Sequence, residues 1–340
     1  MSDQRILVTG GAGFIGSNLA EHLLKMGHKV IVLDDLSGSI HDNIRACYNY
    51  APNFHFVKGS ITNFELLNSI IHDIDAVFHL AAQVHWEESM IDPVPSFQVN
   101  TMGTLNVLEC VRRTFTRRNP IKLLVYASSS EVYGTAQYVP MDEKHPFNPQ
   151  SPYAAGKAAS DRLCSAYYHT YKVPVIILRQ FNTYGPRQTF KGYSAVVPKF
   201  CAQVLSGSSP TIYGDGEQTK DFHYIDDLVN AYELILDKYE ELDIFGKAIN
   251  FGTGIETSIN ELAKNIINIA SIKTGKNPNL KPTYLPPRPN EVRRFIADIT
   301  LAKNKLGFKP KVNLKEGLNK YIDWYMEKHH INPENIINRG

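Results

Sequence analysis

The run Gly10-Gly-Ala-Gly13-Phe-Ile-Gly16 lies between an apolar stretch, Arg5-Ile-Leu-Val-Thr9, and an amphipathic one, Ser17 to Met26. Few local features restrict a fold more. The first stretch suits a strand buried on both faces of a parallel sheet, and the second has a helical period. Glycine lets the chain turn tightly between them, so that a pyrophosphate can approach backbone N–H groups at a helix N-terminus. A second apolar stretch, Lys29-Val-Ile-Val-Leu33, ends in Asp34-Asp35. An acid about 20 residues beyond the glycines is where a carboxylate accepts hydrogen bonds from an adenosine ribose. The same acid repels a 2′-phosphate, so the pattern predicts NAD rather than NADP. A glycine turn between unrelated elements would not require the second strand and its terminal acid.

Further strand candidates follow at Phe54–Val57, Asp75–Ala81, Lys122–Ala127 and Val173–Leu178, with helical stretches around 62–72, 96–116 and 152–172 between them. This alternation predicts an α/β fold, a doubly wound parallel sheet of Rossmann type with helices on both faces. Ligands of such sheets sit outside the carboxyl ends of the strands. Beyond residue 179 the regularity fades into proline- and glycine-rich segments, which read as a smaller mixed α/β substrate lobe. The division predicted is a dinucleotide-binding domain over 1–178, with 217–251 returning to it, and a substrate lobe over 179–216 and 252–340. Leu314 to Glu327 reads as a closing helix.

Within that frame, Tyr153 and Lys157 in Ser151-Pro-Tyr-Ala-Ala-Gly-Lys157 are four apart, hence on one face of a helix. A buried ammonium beside a phenol favours the phenolate, whose ordinary pKa is ~10. That pair can exchange protons with a hydroxyl near neutral pH. A solvated helix face is the plain alternative.

Composition excludes several classes. Lys and Arg total 36 against 34 Asp and Glu, so no strong field draws the chain to nucleic acid or anionic lipid. The four cysteines, Cys47, Cys110, Cys164 and Cys201, are far apart, form no metal-ligand pair and suit a reducing cytoplasm. The N-terminus lacks an apolar signal region, and no apolar run has the length of a membrane span. A cytoplasmic protein without a metal site is expected.

Several motifs occur in order: Gly10-x-x-Gly13-x-x-Gly16, Ser128-Ser-Ser-Glu-Val-Tyr-Gly134, Tyr153-x-x-x-Lys157, Arg179-Gln-Phe-Asn-Thr-Tyr-Gly-Pro186, Tyr213 to Phe222 and Arg288-Pro-Asn-Glu291. The set resembles the extended short-chain dehydrogenase/reductase family acting on nucleotide sugars. That family includes 4-epimerases, 4,6-dehydratases and UDP-glucuronate decarboxylases. The resemblance covers nearly the whole chain. It implies that Tyr153 takes a proton from the sugar's C4 hydroxyl while hydride passes to NAD, that Lys157 holds the nicotinamide ribose, and that Ser129 bonds the same hydroxyl. It implies cofactor contacts from Gly10, Gly13, Phe14, Ile15, Gly16, Asp34, Asp35, Ser37, Ser60, Ile61, Leu80, Ala81, Ala82, Gln83, Asn100 and Ser128, beside Tyr153 and Lys157. Substrate contacts are implied from His85, Asn182, Arg187, Lys199, Tyr213, Lys220 and Arg288, and a homodimer through helices around 96–116 and 152–172.

Ser130-Glu131 separates the branches. The dehydratases carry Thr-Asp-Glu or Thr-Ser-Glu there, so Glu131 matches the base that removes the C5 hydrogen once C4 is a ketone, and Ser130 its polar neighbour. Epimerases usually hold a small or apolar residue in place of Glu131, whereas UDP-glucuronate decarboxylases also carry Ser-Glu here, and Asn182-Thr-Tyr-Gly-Pro-Arg187 resembles theirs as much as the dehydratases'. The Leu80–Ser89 loop and Arg288–Arg294 also resemble dehydratase segments. A nucleotide-sugar 4,6-dehydratase is therefore expected, with UDP-glucuronate decarboxylase and 4-epimerase as alternatives, and a non-catalytic NAD-binding scaffold as the alternative outside enzymes. There are departures. Ser130 stands where some dehydratases place an acidic Asp, and Lys220 where most relatives have Arg, giving a point charge instead of a bidentate clamp. Ser60 replaces an Asp that contacts adenine. For a decarboxylase, Arg293 or Arg294 would have to hold the sugar carboxylate.

Overall fold

Alternate residues of the buried strands enter different cores, which is how one chain covers both faces of a sheet. In the computed structural model, Ile6 and Val8 pack into one apolar cluster and Leu7 into another; Ile176 and Leu178 part from Val175 and Ile177 in the same way. The structure describes residues 3–84, 86–188, 195–275, 280–288 and 292–331, apart from the side chains of Trp86 and Glu87.

The strands come in chain order as β1 (Arg5–Thr9), β2 (Lys29–Asp34), β3 (Phe54–Lys58), β4 (Ala76–His79), β5 (Leu123–Ala127) and β6 (Val175–Gln180). Shorter ones follow: β7 (Asn182–Tyr184), β8 (Thr211–Tyr213), β9 (Thr219–Lys220), β10 (Phe222–Tyr224), β11 (Ala248–Phe251), β12 (Thr257–Ser258) and β13 (Thr283–Leu285). The central sheet has seven strands in the order β11-β6-β5-β4-β1-β2-β3, paired in parallel throughout. This is the doubly wound α/β fold expected. Three two-stranded pieces, β10-β7, β12-β9 and β13-β8, lie outside that sheet.

The strand order reverses between β1 and β4, which makes the carboxyl ends of these two strands the crevice for a ligand. Thr9 Oγ1 and His79 Nδ1 join there at 2.8 Å, and burial pushes the His79 imidazole down to about 3, helped by the charge of Lys157. His79 is thus a neutral bracket between strand ends, its other nitrogen 3.0 Å from Thr104 Oγ1.

Two helices matter most for the site. Phe14–Lys25 follows the glycine run, starting earlier than the amphipathic pattern suggests, and Pro152–Tyr171 follows β5. The second begins where Ser151 Oγ accepts from Ala154 N at 3.1 Å, with Pro152 in the first turn, where its missing N–H costs nothing. The stretch expected as one helix over 96–116 is composite: an α-helix Pro93–Phe97, a π-turn Gln98–Gly103, an α-helix Thr104–Arg113 and a short 3₁₀ end. The π-turn widens the ladder at Asn100, whose carbonyl accepts from both Ser160 Oγ (2.7 Å) and Thr104 Oγ1 (2.6 Å). The closing helix spans Leu314–Lys328. Among the described residues, no helix is long and apolar enough to cross a membrane.

Candidate active site

The glycine loop is shaped by close backbone approach. Gly10 has φ +68°, and a Cβ there would lie 2.6 Å from Ala81 N; a Cβ on Gly16 would lie 2.2 Å from Gly10 O. The loops after β1 and β4 therefore touch, and only glycine permits it. The helix beyond starts at Gly13 with no side chain capping its N-terminus, which suits a phosphate. Asp34 is buried at the end of β2. Its Oδ2 accepts from Ala12 N at 2.9 Å, and its Oδ1 from Leu36 N (2.9 Å) and Ser39 Oγ (2.7 Å). A carboxylate has about four acceptor positions, so the side chain that locks the glycine loop still has capacity for a ribose hydroxyl. Asp35 is exposed and engages Ser37 N and Oγ.

Other residues expected at the cofactor act as supports. Asn100 holds Gln83 by both amide ends, Oδ1 from Gln83 N at 2.8 Å and Nδ2 to Gln83 O at 3.0 Å. This fixes the Leu80-Ala81-Ala82-Gln83 loop against the π-turn. Ile61 is buried beneath Gly103. Ser60 Oγ accepts from Thr62 N and Oγ1. Phe14 and Ile15 are half-buried against the core.

Lys157 and Tyr153 lie on the same face of the helix Pro152–Tyr171. Lys157 is 4% exposed, its Nζ donates to Ala127 O at the end of β5 (2.8 Å), and it sits 5.1 Å from the centre of the Tyr126 ring. Burial lowers its pKa to about 8. Tyr153 is half-buried, its N–H donating to Ser89 Oγ at 3.3 Å. Against this helix packs the 3₁₀ turn Ser130–Tyr133. Ser129 starts the turn and accepts on Oγ from Glu131 N at 3.2 Å. Ser128 is buried and donates to Asp161 at 2.8 Å.

Glu131 edges a cleft. Its walls include Asn182, Lys199, Tyr213, Lys220 and Arg288, which unites five of the expected substrate residues with the expected base. Lys220 Nζ is 3.9 Å from Glu131 Oε1 and 4.5 Å from the centre of the Phe295 ring. Lys199 and Arg288 both lie over Tyr213, at 5.0 and 4.1 Å. Asn182 Oδ1 is buried in the wall with no hydrogen-bond partner among the described residues, an acceptor left for a ligand donor.

Three expected groups have partners that the sequence did not foretell. Arg187 is held by the glycine-loop helix: its Nη1 donates to Ser17 O at 2.8 Å and its Nη2 pairs with Glu21, which also holds Lys25. The glycine-loop helix, with Glu21 on its second turn, captures this arginine. Arg293 and Arg294 form forked pairs with Asp215 and Glu256. Ser130 is buried, and across the cleft Glu131 has Lys220 as a charged neighbour. His85 lies outside the described residues, as do Pro289, Asn290 and Glu291.

The residues missed are braces. Asp161 and Arg179 are a buried pair beneath the Ser129–Glu131 turn. Asp161 was in reach of the helical spacing, one turn beyond Lys157. Asp221, beside Lys220, is buried and accepts from Thr253 N, Thr253 Oγ1, Gly254 N and Ala297 N, fixing the strand that presents Lys220.

A Rossmann sheet that sets a Tyr-x-x-x-Lys helix beside β5, and opens at its strand ends into a charged cleft, defines an enzyme of the extended short-chain dehydrogenase/reductase type. Residues 7–321 match the GDP-mannose 4,6 dehydratase family model, and the chain belongs to that family. It is 36% identical to the UDP-glucose 4-epimerase of Mycolicibacterium smegmatis over 95% of this chain and 99% of that one. It is 34% identical to the dTDP-D-glucose 4,6-dehydratase of Dictyostelium discoideum over 95% and 81%. Among solved structures, the UDP-glucuronic acid 4-epimerase of Bacillus cereus in complex with UDP-glucuronic acid and NAD superposes with a TM-score of 0.85 at 32% identity, covering 95% of this chain and 99% of that one. UDP-glucuronic acid decarboxylases fall in the same identity range.

Proposed function

We propose that the protein is an NAD-dependent nucleotide-sugar 4,6-dehydratase, converting a nucleoside-diphosphate hexose into its 4-keto-6-deoxy form. The observation that carries this reading is Glu131 at the edge of the cleft, beside the turn that bears Ser129. A 4-epimerase needs no carboxylate at that point, because its reaction removes no C5 hydrogen.

The chain's residues divide the work. NAD, when bound, supplies the reversible hydride acceptor that oxidation at C4 requires. The bare helix N-terminus after Gly13 and the carboxylate of Asp34 hold its pyrophosphate and ribose. The Lys157 ammonium favours the Tyr153 phenolate, which accepts the C4 hydroxyl proton, with Ser129 Oγ orienting the same hydroxyl. The C4 carbonyl acidifies C5–H, and Glu131 removes that proton. Asn182, Lys199, Tyr213 and Arg288 hold the diphosphate and base, drawing the substrate over residues 179–216 and 252–340 while NAD rests on 1–178 with 217–251.

The exposed apolar side chains Met90, Ile91, Val94, Phe97 and Met102 gather on one stretch. We place the homodimer contact there, with the helix Pro152–Tyr171 alongside. An exposed apolar strip of this kind is costly to leave in water.

A 4-epimerase is the second reading, supported by the M. smegmatis relative. The decarboxylase reading weakens, since Arg293 and Arg294 are both engaged by acids. Incubation with UDP-, dTDP-, CDP- and GDP-hexoses and UDP-glucuronate, with products analysed by mass and NMR, separates them. Loss of water supports the proposal. Unchanged mass with inverted C4 supports the epimerase, and loss of CO₂ the decarboxylase.

A further inference from the structure

Elimination of the 6-hydroxyl needs a proton donor as well as a base, because hydroxide is a poor leaving group. Ser130 is buried, and its hydroxyl is too weak an acid to supply it well. Ser129 is a hydroxyl that receives Glu131 N–H, and a serine hydroxyl is a weak acid. Of the cations lining the cleft, Lys199 and Arg288 are both stacked on Tyr213, and an arginine does not release its proton. Lys220 is different. Its ammonium lies 3.9 Å from the Glu131 carboxylate, only 16% of its side chain is exposed, and the Phe295 ring lies 4.5 Å beneath it. Its strand is fixed on both sides: Thr219 N donates to Arg293 O, Phe295 N donates to Thr219 O, and the buried Asp221 follows directly.

Resting on the dehydratase reading, we propose that Lys220 is the general acid of the elimination, acting as a pair with Glu131. The carboxylate takes the C5 proton, the C5–H electrons form the C5=C6 double bond, and the C6–O bond breaks. The departing oxygen takes a proton from the Lys220 ammonium and leaves as water. The Glu131 proton later returns to C5, and Lys220 is reprotonated from solvent, which receives the proton taken up at Tyr153. With the hydride removed from C4 returned to C6, the net change is loss of one water. The two departures at Ser130 and Lys220 then explain one another. An acid absent beside the base in sequence is supplied across the cleft by an amine, whereas a guanidinium at the same place could only bind.

The test compares wild type with Lys220→Arg, Lys220→Gln and Glu131→Gln in deuterated water, on whichever nucleotide sugar the wild type dehydrates. Retained NAD binding and melting temperature serve as folding controls. Both Lys220 variants are expected to reduce the nicotinamide and exchange C5 hydrogen for deuterium, while water loss falls at least about a hundredfold. Glu131→Gln loses exchange and elimination together. Water loss by Lys220→Arg within about threefold of wild type overturns the assignment and makes Lys220 a charge that binds the diphosphate. Loss of C5 exchange in Lys220→Arg overturns it too, making Lys220 an aligner of Glu131. If the wild type dehydrates no sugar nucleotide, the dehydratase reading itself fails and the Lys220 assignment falls with it. If the wild type dehydrates and Lys220→Arg does so equally, only the Lys220 assignment fails.

Discussion

Arg179 grips Asp161 through two hydrogen bonds, Nε to Oδ2 at 2.9 Å and Nη2 to Oδ1 at 3.0 Å, with both side chains out of water. Asp161 also receives Ser128 Oγ, and Arg179 Nη1 donates to Tyr133 OH at 2.9 Å. Tyr133 in turn donates to Asn250 Oδ1 at 2.7 Å. The pair therefore holds both ends of the turn that bears Ser129 and Glu131, and ties it to the helix bearing Tyr153 and Lys157.

Removing one partner of a buried ion pair leaves an uncompensated charge, which costs about 3–5 kcal/mol. Asp161→Asn, which strands the buried Arg179, should lower urea-unfolding stability by that amount, and Arg179→Met by less, because Arg162 also pairs with Asp161. Ser128→Ala, which leaves the pair intact, should cost about 1 kcal/mol. If Arg179→Met is as stable as wild type, the pair is not the brace described.

Lys157 makes a pH prediction with a definite sign. Its pKa is lowered from 10.5 to about 8 by burial, so the unfolded chain binds more protons than the folded one between those values. Stability of the NAD-free protein should therefore rise as pH increases from about 8 to 10.5. The buried ammonium costs on the order of 3 kcal/mol at neutral pH, and Lys157→Met should recover much of it. Activity should move the other way. As the ammonium is lost above pH 8, kcat falls, and the Met variant is inactive at any pH. Equal pH slopes for wild type and Lys157→Met in denaturant titrations would contradict this origin.

Gly16 tests the dinucleotide loop. A methyl there meets the Gly10 carbonyl at 2.2 Å, and backbone cannot give way as a side chain can. Gly16→Ala should weaken NAD binding at least about tenfold in a fluorescence titration while Gly27→Ala, whose added carbon meets nothing, does not. Equal affinities would mean the loop does not hold the cofactor.

Arg187 tests a pairing. Because Glu21 and Ser17 engage it, Arg187→Ala should lower the melting temperature by a few degrees through loss of a partly buried pair, and leave KM for the sugar nucleotide within about twofold. A KM rise of about tenfold or more, with unchanged stability, would return Arg187 to the substrate site.

What the chain reveals about itself before folding is mostly local. The Gly10–Gly16 run, the acid at Asp34 and the Tyr153–Lys157 spacing are read over distances that backbone geometry fixes, and the parallel sheet follows from alternation. The π-turn at Asn100 was invisible, because a helical period continues through it. The Glu131–Lys220 approach was invisible for another reason: the two are 89 positions apart (220 minus 131), and only tertiary folding brings the 3₁₀ turn and β9 to one cleft. The partner of Arg187 was invisible because a motif fixes where a residue stands, not which nearby carboxylate it finds. Glu21, on another helix, decided that.

Glu131 carries the greatest weight. Glu131→Gln keeps the side chain's size and its place in the cleft but removes the base, so the C4 hydroxyl should still be oxidised and C5 should not be deprotonated. In a rapid-quench experiment on the substrate that the wild type dehydrates, the variant should show nicotinamide reduction without the water-loss product, and kcat should fall about 10²- to 10⁴-fold. Dehydration by Glu131→Gln at the wild-type rate would contradict the assignment of the C5 base and, with it, the reason for reading this enzyme as a dehydratase.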